Sequence, residues 1–95
     1  MKITAWTFDV GVAADSPEAY AEECIRRVEQ SWDEGADVVL FPEYLWMGLE
    51  PLTGGGVAGV AEVFWTKLWP AMQSRLLRKG KAAVLGTVPW QEPDN

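Results

Sequence analysis

Apolar positions change their spacing several times along this chain, and each change marks a new element. Residues 3–10 are rich in β-branched and aromatic types and close at Gly11, which predicts a first strand. After a short loop through Ala13, Ala14 and Asp15, Ser16-Pro17 reads as an N-cap with proline at the first helical position. Glu18 suits the positive end of that helix dipole. Ala21, Cys24, Ile25, Val28 and Trp32 then form one stripe at helical spacing, and Glu22, Glu23, Arg26, Arg27 and Glu29 make the solvated face. Gly35 ends the helix as a left-handed cap.

The next run, Ala36-Asp37-Val38-Val39-Leu40-Phe41, is short and nearly continuous in apolar character, the pattern of a parallel strand covered on both faces. Pro42 stops it, because proline cannot donate to a sheet ladder. A loop from Tyr44 to Gly56 follows, ending in Thr53-Gly54-Gly55-Gly56. The pattern then predicts a second helix from Val57 to Arg78, kinked at Pro70 and closed by Gly80. Residues 82–88 predict a third strand, and the tail from Pro89 to Asn95 is polar and turn-like.

The order is therefore β-α-β-α-β, an α/β unit with mostly parallel strands. Two helices cannot cover three strands on both faces. The second helix adds to the deficit. Val57, Ala61, Phe64, Leu68 and Ala71 form one stripe, and Trp65, Trp69, Met72 and Leu76 form another, together wider than one sheet face would hide. An uncovered sheet face and this aromatic arc predict self-association or loose packing.

Composition narrows the possible functions. With 95 residues the chain makes one small domain, and 48% hydrophobic content is that of a globular protein. Eight Lys and Arg against fourteen Asp and Glu leave a net charge of −6, and no cationic cluster exists to neutralise phosphates, so nucleic acid and anionic membranes are not expected partners. No stretch approaches the roughly 18 apolar residues of a membrane span, and Asp9 comes too early for a secretory apolar region, so a cytoplasmic location is expected. Histidine is absent and Cys24 is the only cysteine. That excludes an internal disulfide, His- or Cys-built zinc sites and Ser-His-Asp chemistry. No cofactor or metal is expected.

Glu43 is the sharpest candidate for chemistry. It follows Pro42 at the carboxyl end of the second strand, where open α/β sheets place their ligand crevices. Phe41, Tyr44 and Trp46 flank it, so partial desolvation and general-base duty are expected, with Tyr44 and Trp46 as candidate pocket residues. Three other features are weaker. Asp9 could pair with Glu43 around Mg²⁺ but reads first as a turn residue beside Gly11. Gly54-Gly55-Gly56 lacks the Lys-Ser/Thr of a phosphate loop and reads as flexibility before the second helix. Cys24, mid-helix on the apolar stripe, reads as core packing.

The string Gly35-Ala36-Asp37-Val38-Val39-Leu40-Phe41-Pro42-Glu43-Tyr44 closely resembles the first signature of the carbon–nitrogen hydrolase (nitrilase) superfamily. Val84-Leu85-Gly86-Thr87 is similar to the family's next Leu-Gly strand end, so the resemblance runs along nearly the whole chain. It implies that Glu43 is a general base and that this unit is one half-layer of an α-β-β-α sandwich, incomplete at 95 residues. It also implies a cysteine nucleophile attacking a small amide or nitrile, a lysine ammonium stabilising the tetrahedral intermediate, and a homo-oligomer in the full-length form. The family's lysine and cysteine lie later than this chain extends. Lys79 and Lys81 flank the turn into the third strand, the wrong place for that lysine. Of the triad, only Glu43 is expected here. The rival readings are a non-enzymatic interaction module docking through the Trp-rich helix and a small Mg²⁺-binding signalling-type domain.

Overall fold

The computed structural model describes residues 1–6, 15–86 and 88. Asp9, Gly11 and the tail from Pro89 lie outside the described residues, as does the second half of the first predicted strand. Within them the chain forms β1 (Ile3–Ala5), α1 (Pro17–Asp33), β2 (Val38–Leu40), a 3₁₀ turn (Leu45–Leu49), α2 (Glu50–Thr53), α3 (Gly56–Val63), a π-helical turn (Phe64–Leu68), α4 (Trp69–Met72) and β3 (Ala82–Val84). The strands pair in parallel in the order β1-β2-β3. The fold is α/β, a small parallel sheet with its crossovers helical.

α1 begins and ends where its sequence directs. The Ser16 hydroxyl accepts from the Ala19 N–H at 3.1 Å. At the other end Gly35 donates to the Trp32 carbonyl and Ala36 to the Ser31 carbonyl, both bonds of a Schellman stop, with Gly35 at φ 102°. Every residue of the expected stripe, Ala21, Cys24, Ile25, Val28 and Trp32, is buried.

The second crossover departs from a single long helix. Part of the expected loop is ordered as the 3₁₀ turn and α2. Gly54, Gly55 and Gly56 all lie at positive φ, so the glycine run is a built turn into α3. Pro70 then reshapes the helix. It has no N–H for the Thr66 carbonyl and its ring crowds that carbonyl, so the preceding turn widens and Trp69 bonds back five residues to Phe64. The widening has a use. Val60, Phe64, Leu68 and Met72 are buried at intervals of four, a row that a helix of 3.6 residues per turn would rotate off the sheet. The buried face thus contains Val60 and Met72 where the uniform stripe placed Val57 and Ala71, which are exposed. The helix ends at Met72 instead of reaching Arg78, and ion pairs hold the segment that follows. Arg75 bridges Glu22 and Glu29 on α1, and Arg78 bonds Asp33 at 2.8 Å while lying over the Trp32 ring.

Among the described residues, helices cover the sheet on one face only. Register aligns Thr4, Val39 and Ala83 across one face, and Val39 is fully buried beneath the helices. The other face aligns Ile3 with Val38 and Ala82, and Ala5 with Leu40 and Val84. All six are apolar, yet Ile3 is 56% and Val84 51% exposed. Among the described residues nothing packs fully over this face, where Val38 and Leu40 are half-buried. No helix among the described residues is long and apolar enough to cross a membrane.

Candidate functional site

The carboxyl edge of the sheet is assembled from three strand ends. β1 leaves through Trp6, whose N–H donates to the Leu40 carbonyl at 2.9 Å and whose indole donates to Ser31 Oγ at 2.9 Å. The Phe41 N–H donates to the Val84 carbonyl at 3.0 Å, the last rung between β2 and β3 before Pro42 ends the ladder. The chain then turns tightly, the Leu45 N–H donating to the Pro42 carbonyl at 3.2 Å. Glu43 occupies that turn, between the buried side chains of Phe41 and Leu45.

Glu43 itself is exposed. The expected desolvation by flanking aromatics is not present among the described residues, because each aromatic is spent elsewhere. Phe41 and Trp46 belong to the core. Tyr44 is 68% exposed beside Glu43. Trp46 is 0% exposed and packs against Tyr20, with ring centroids 5.9 Å apart, and Phe64, at 4.8 Å. It offers no surface to a solute here. Its work is to fasten the turn to the helices, and the Tyr20 hydroxyl adds to this by donating to the Leu45 carbonyl. Burial pushes the Tyr20 phenol well above its usual range, so it remains a donor at all moderate pH.

Gly86, the glycine of the Leu-Gly strand end named in the resemblance, lies on the exit from β3 and sets the shape of this edge. It lies at φ 76°, and a Cβ there would stand 2.4 Å from the Pro42 carbonyl oxygen and 2.6 Å from that of Glu43. Only glycine allows the two strand exits to lie this close. Its position two residues past β3 is level with Pro42-Glu43 past β2.

Among the described residues, Cys24, Lys81 and Asp37 fall away from this edge. Burial raises the Cys24 thiol to about 12, with the nearby Arg27 charge opposing, so the side chain is a neutral packing group and no nucleophile. Lys81 sits at the opposite, amino edge of the sheet, donating to the Ala36 carbonyl at 2.8 Å and lying 3.5 Å from Asp37. Asp37 was read from sequence only as part of a strand. It is the tie among all three strand starts, since it also accepts from the Lys2 main-chain N–H at 2.8 Å. No group of three or more acidic or sulfur ligands able to hold a metal occurs among the described residues.

The arrangement can present one solvated carboxylate, with a phenol beside it, at the rim of a parallel sheet. It can accept a proton or orient a small polar solute, and among the described residues it holds no cysteine nucleophile. Comparison with protein-family models, curated proteins and solved structures finds no match to this chain.

Proposed function

We propose that this chain is the glutamate-bearing part of a carbon–nitrogen hydrolase that cleaves a small nonpeptide amide or nitrile. Glu43 acts as the general base, while the lysine and cysteine of the triad are supplied by polypeptide beyond Asn95. The observation that carries the reading is the placement of Glu43. A Gly35–Tyr44 segment resembling the family signature puts its glutamate on an anchored turn at the carboxyl edge of the central parallel strand, where α/β sheets bind ligands. The apolar face through Ile3, Val38, Leu40 and Val84 supports it further, because a second sheet packed there makes the α-β-β-α sandwich.

In this reading, Glu43 takes the thiol proton as the sulfur attacks the amide or nitrile carbon, and the ammonium stabilises the developing anion. The proton passes from Glu43 to the substrate nitrogen, which leaves an amide as the free amine while the acyl group stays on sulfur. Glu43 then takes a proton from the water that releases the acyl group. The base needs only modest burial until the second sheet and substrate arrive. The isolated chain, lacking two of three catalytic groups, is inactive.

The test is a steady-state assay of the 95-residue chain and of its extension past Asn95 on short amides and nitriles. The extended protein turns over and the isolated chain does not. Turnover by the isolated chain that disappears in Glu43→Gln overturns the division of the triad. An extended protein without hydrolase activity, or without a downstream lysine and cysteine, overturns the assignment itself.

A further inference from the structure

Between α4 and β3 the chain is held to the fold by charge more than by apolar contact. Both ends of this stretch are fixed. Met72 is buried in the core at one end. At the other, the Lys81 ammonium donates to the Ala36 carbonyl at 2.8 Å and the Ala82 N–H to the Asp37 carbonyl at 2.9 Å. Every residue from Gln73 to Gly80 is exposed except Leu76, which packs half-buried against the core. The main-chain N–H groups of Arg75, Leu76 and Lys81 bond the carbonyls of Met72, Gln73 and Arg78, so these bonds stay within the stretch and its near end. Two guanidiniums join it to α1. Arg75 bridges Glu22 and Glu29, the latter at 2.7 Å, and Arg78 reaches Asp33 at 2.8 Å while lying 5.2 Å from the centre of the Trp32 ring. Glu22, Glu29 and Asp33 share one face of α1, so the acceptors form a row along the helix.

We propose that residues 73–80 form an ionic strap, which opens as a unit about its fixed ends when salt screens Arg75 and Arg78, while α1 and the sheet stay closed. The Arg75 and Arg78 side chains are 38% and 39% exposed, and their acceptors are 32% exposed or more. Pairs this open to water are individually weak, and their attraction fades as the screening length shortens to about 3 Å at 1 M salt. The rest of the fold has a different foundation. Buried apolar side chains and main-chain ladders hold α1 to the sheet and the strands to one another, and salt screens these little. A stretch with one half-buried apolar anchor and solvent-exposed hydrogen bonds is a low-stability unit of its fold. Opening lifts Arg78 from the Trp32 ring and frees Glu22, Glu29 and Asp33 from their cations. Ionic strength therefore sets how often that acidic row is presented, and this holds independently of the hydrolase reading.

The experiment is residue-resolved amide exchange on the 95-residue chain from about 20 mM to about 1 M NaCl. The Arg75, Leu76 and Lys81 amides, whose bonds exist only while the strap is formed, exchange about three- to tenfold faster at the top of that range. The Phe41 amide and those within α1 change less than about twofold. Replacing both guanidiniums, Arg75→Gln together with Arg78→Gln, brings the fast rate to low salt and flattens its salt dependence. Leu76→Ala speeds the same amides at every salt concentration and keeps the slope, because it removes the apolar anchor and no charge. Three results overturn the proposal. These are strap amides that ignore salt, strap and α1 amides that speed up together, or a double variant as salt-sensitive as the parent. Should the double variant fail to fold, the salt series on the unaltered chain decides alone.

Discussion

Asp37 and Lys2 bond each other twice: the carboxylate accepts the Lys2 N–H at 2.8 Å, and the Asp37 N–H donates to the Lys2 carbonyl at 2.8 Å. With Lys81 on its other oxygen, Asp37 ties the starts of β1 and β3 to β2. The Lys2 amide, aided by the Lys81 charge, holds this carboxyl below its ordinary value of 3.8. A carboxyl lowered on folding contributes stability that is present above the unfolded pKa and lost as pH falls through the folded one. Asp37→Asn is therefore less stable than the parent at neutral pH, and the gap closes as the pH drops below about 4. Thermal unfolding of both proteins across pH 2–7 checks this, and a constant gap contradicts it.

Cys24 has the opposite linkage. Its thiol rises from 9.0 to about 12 on folding because the charged form is disfavoured by burial. The unfolded chain loses that proton first, so stability falls as pH rises from about 9 toward 12. At pH 8 a thiol reagent labels Cys24 only as fast as the protein opens. The rate is set by urea concentration and not by reagent concentration.

Much of this architecture was legible because local and tertiary demands agree. Ser16-Pro17, the stripe from Ala21 to Trp32 and Gly35 each point to the same helix, and α1 follows all of them. The bare sheet face was legible for a counting reason, two crossovers for three strands. The second crossover was not, because Pro70 acts through the turn before it and moves the buried row to Val60 and Met72. Of the candidate site, the position of Glu43 just past its strand was legible. What periodicity could not see was which aromatics face inward, so Trp46 and Tyr44 looked equivalent although one is core and the other open to solvent.

That difference is measurable at Trp46. Its indole N–H is buried with no hydrogen-bond partner among the described residues, so replacing it with Phe removes an unmet donor along with part of the ring. Trp46→Phe costs less than about 2 kcal/mol, whereas Trp46→Ala opens a cavity against Tyr20 and Phe64 and costs about 3–5 kcal/mol. Urea unfolding followed by circular dichroism separates the two. Equal, small effects would place Trp46 outside the core.

Gly86→Ala strains the chain in two ways. A left-handed backbone disfavours any Cβ by about 1–2 kcal/mol, and the added methyl meets the Pro42 and Glu43 carbonyls. Destabilisation exceeds about 2 kcal/mol with an unchanged urea m-value, since the surface exposed on unfolding is the same. Amide shifts in the variant concentrate at residues 41–45, not in α1. Uniform shifts would argue against a local contact.

Glu43 separates function from stability most cleanly. Its side chain is exposed on a turn whose hold comes from Phe41, Leu45 and Trp46, so Glu43→Gln keeps the unfolding free energy within about 0.5 kcal/mol. On the proposed function, Glu43→Gln in a protein extended past Asn95 slows acyl transfer by about 10²–10⁴-fold, the usual worth of general-base catalysis. Glu43→Asp also folds normally, but withdraws the carboxylate by a methylene and slows the same step, because proton transfer tolerates little misplacement. Single-turnover acylation with each variant, paired with thermal unfolding, reads both quantities on one sample. Acylation at the parent rate by a normally folded Glu43→Gln protein makes Glu43 an ordinary turn carboxylate and removes the general base from the proposed mechanism.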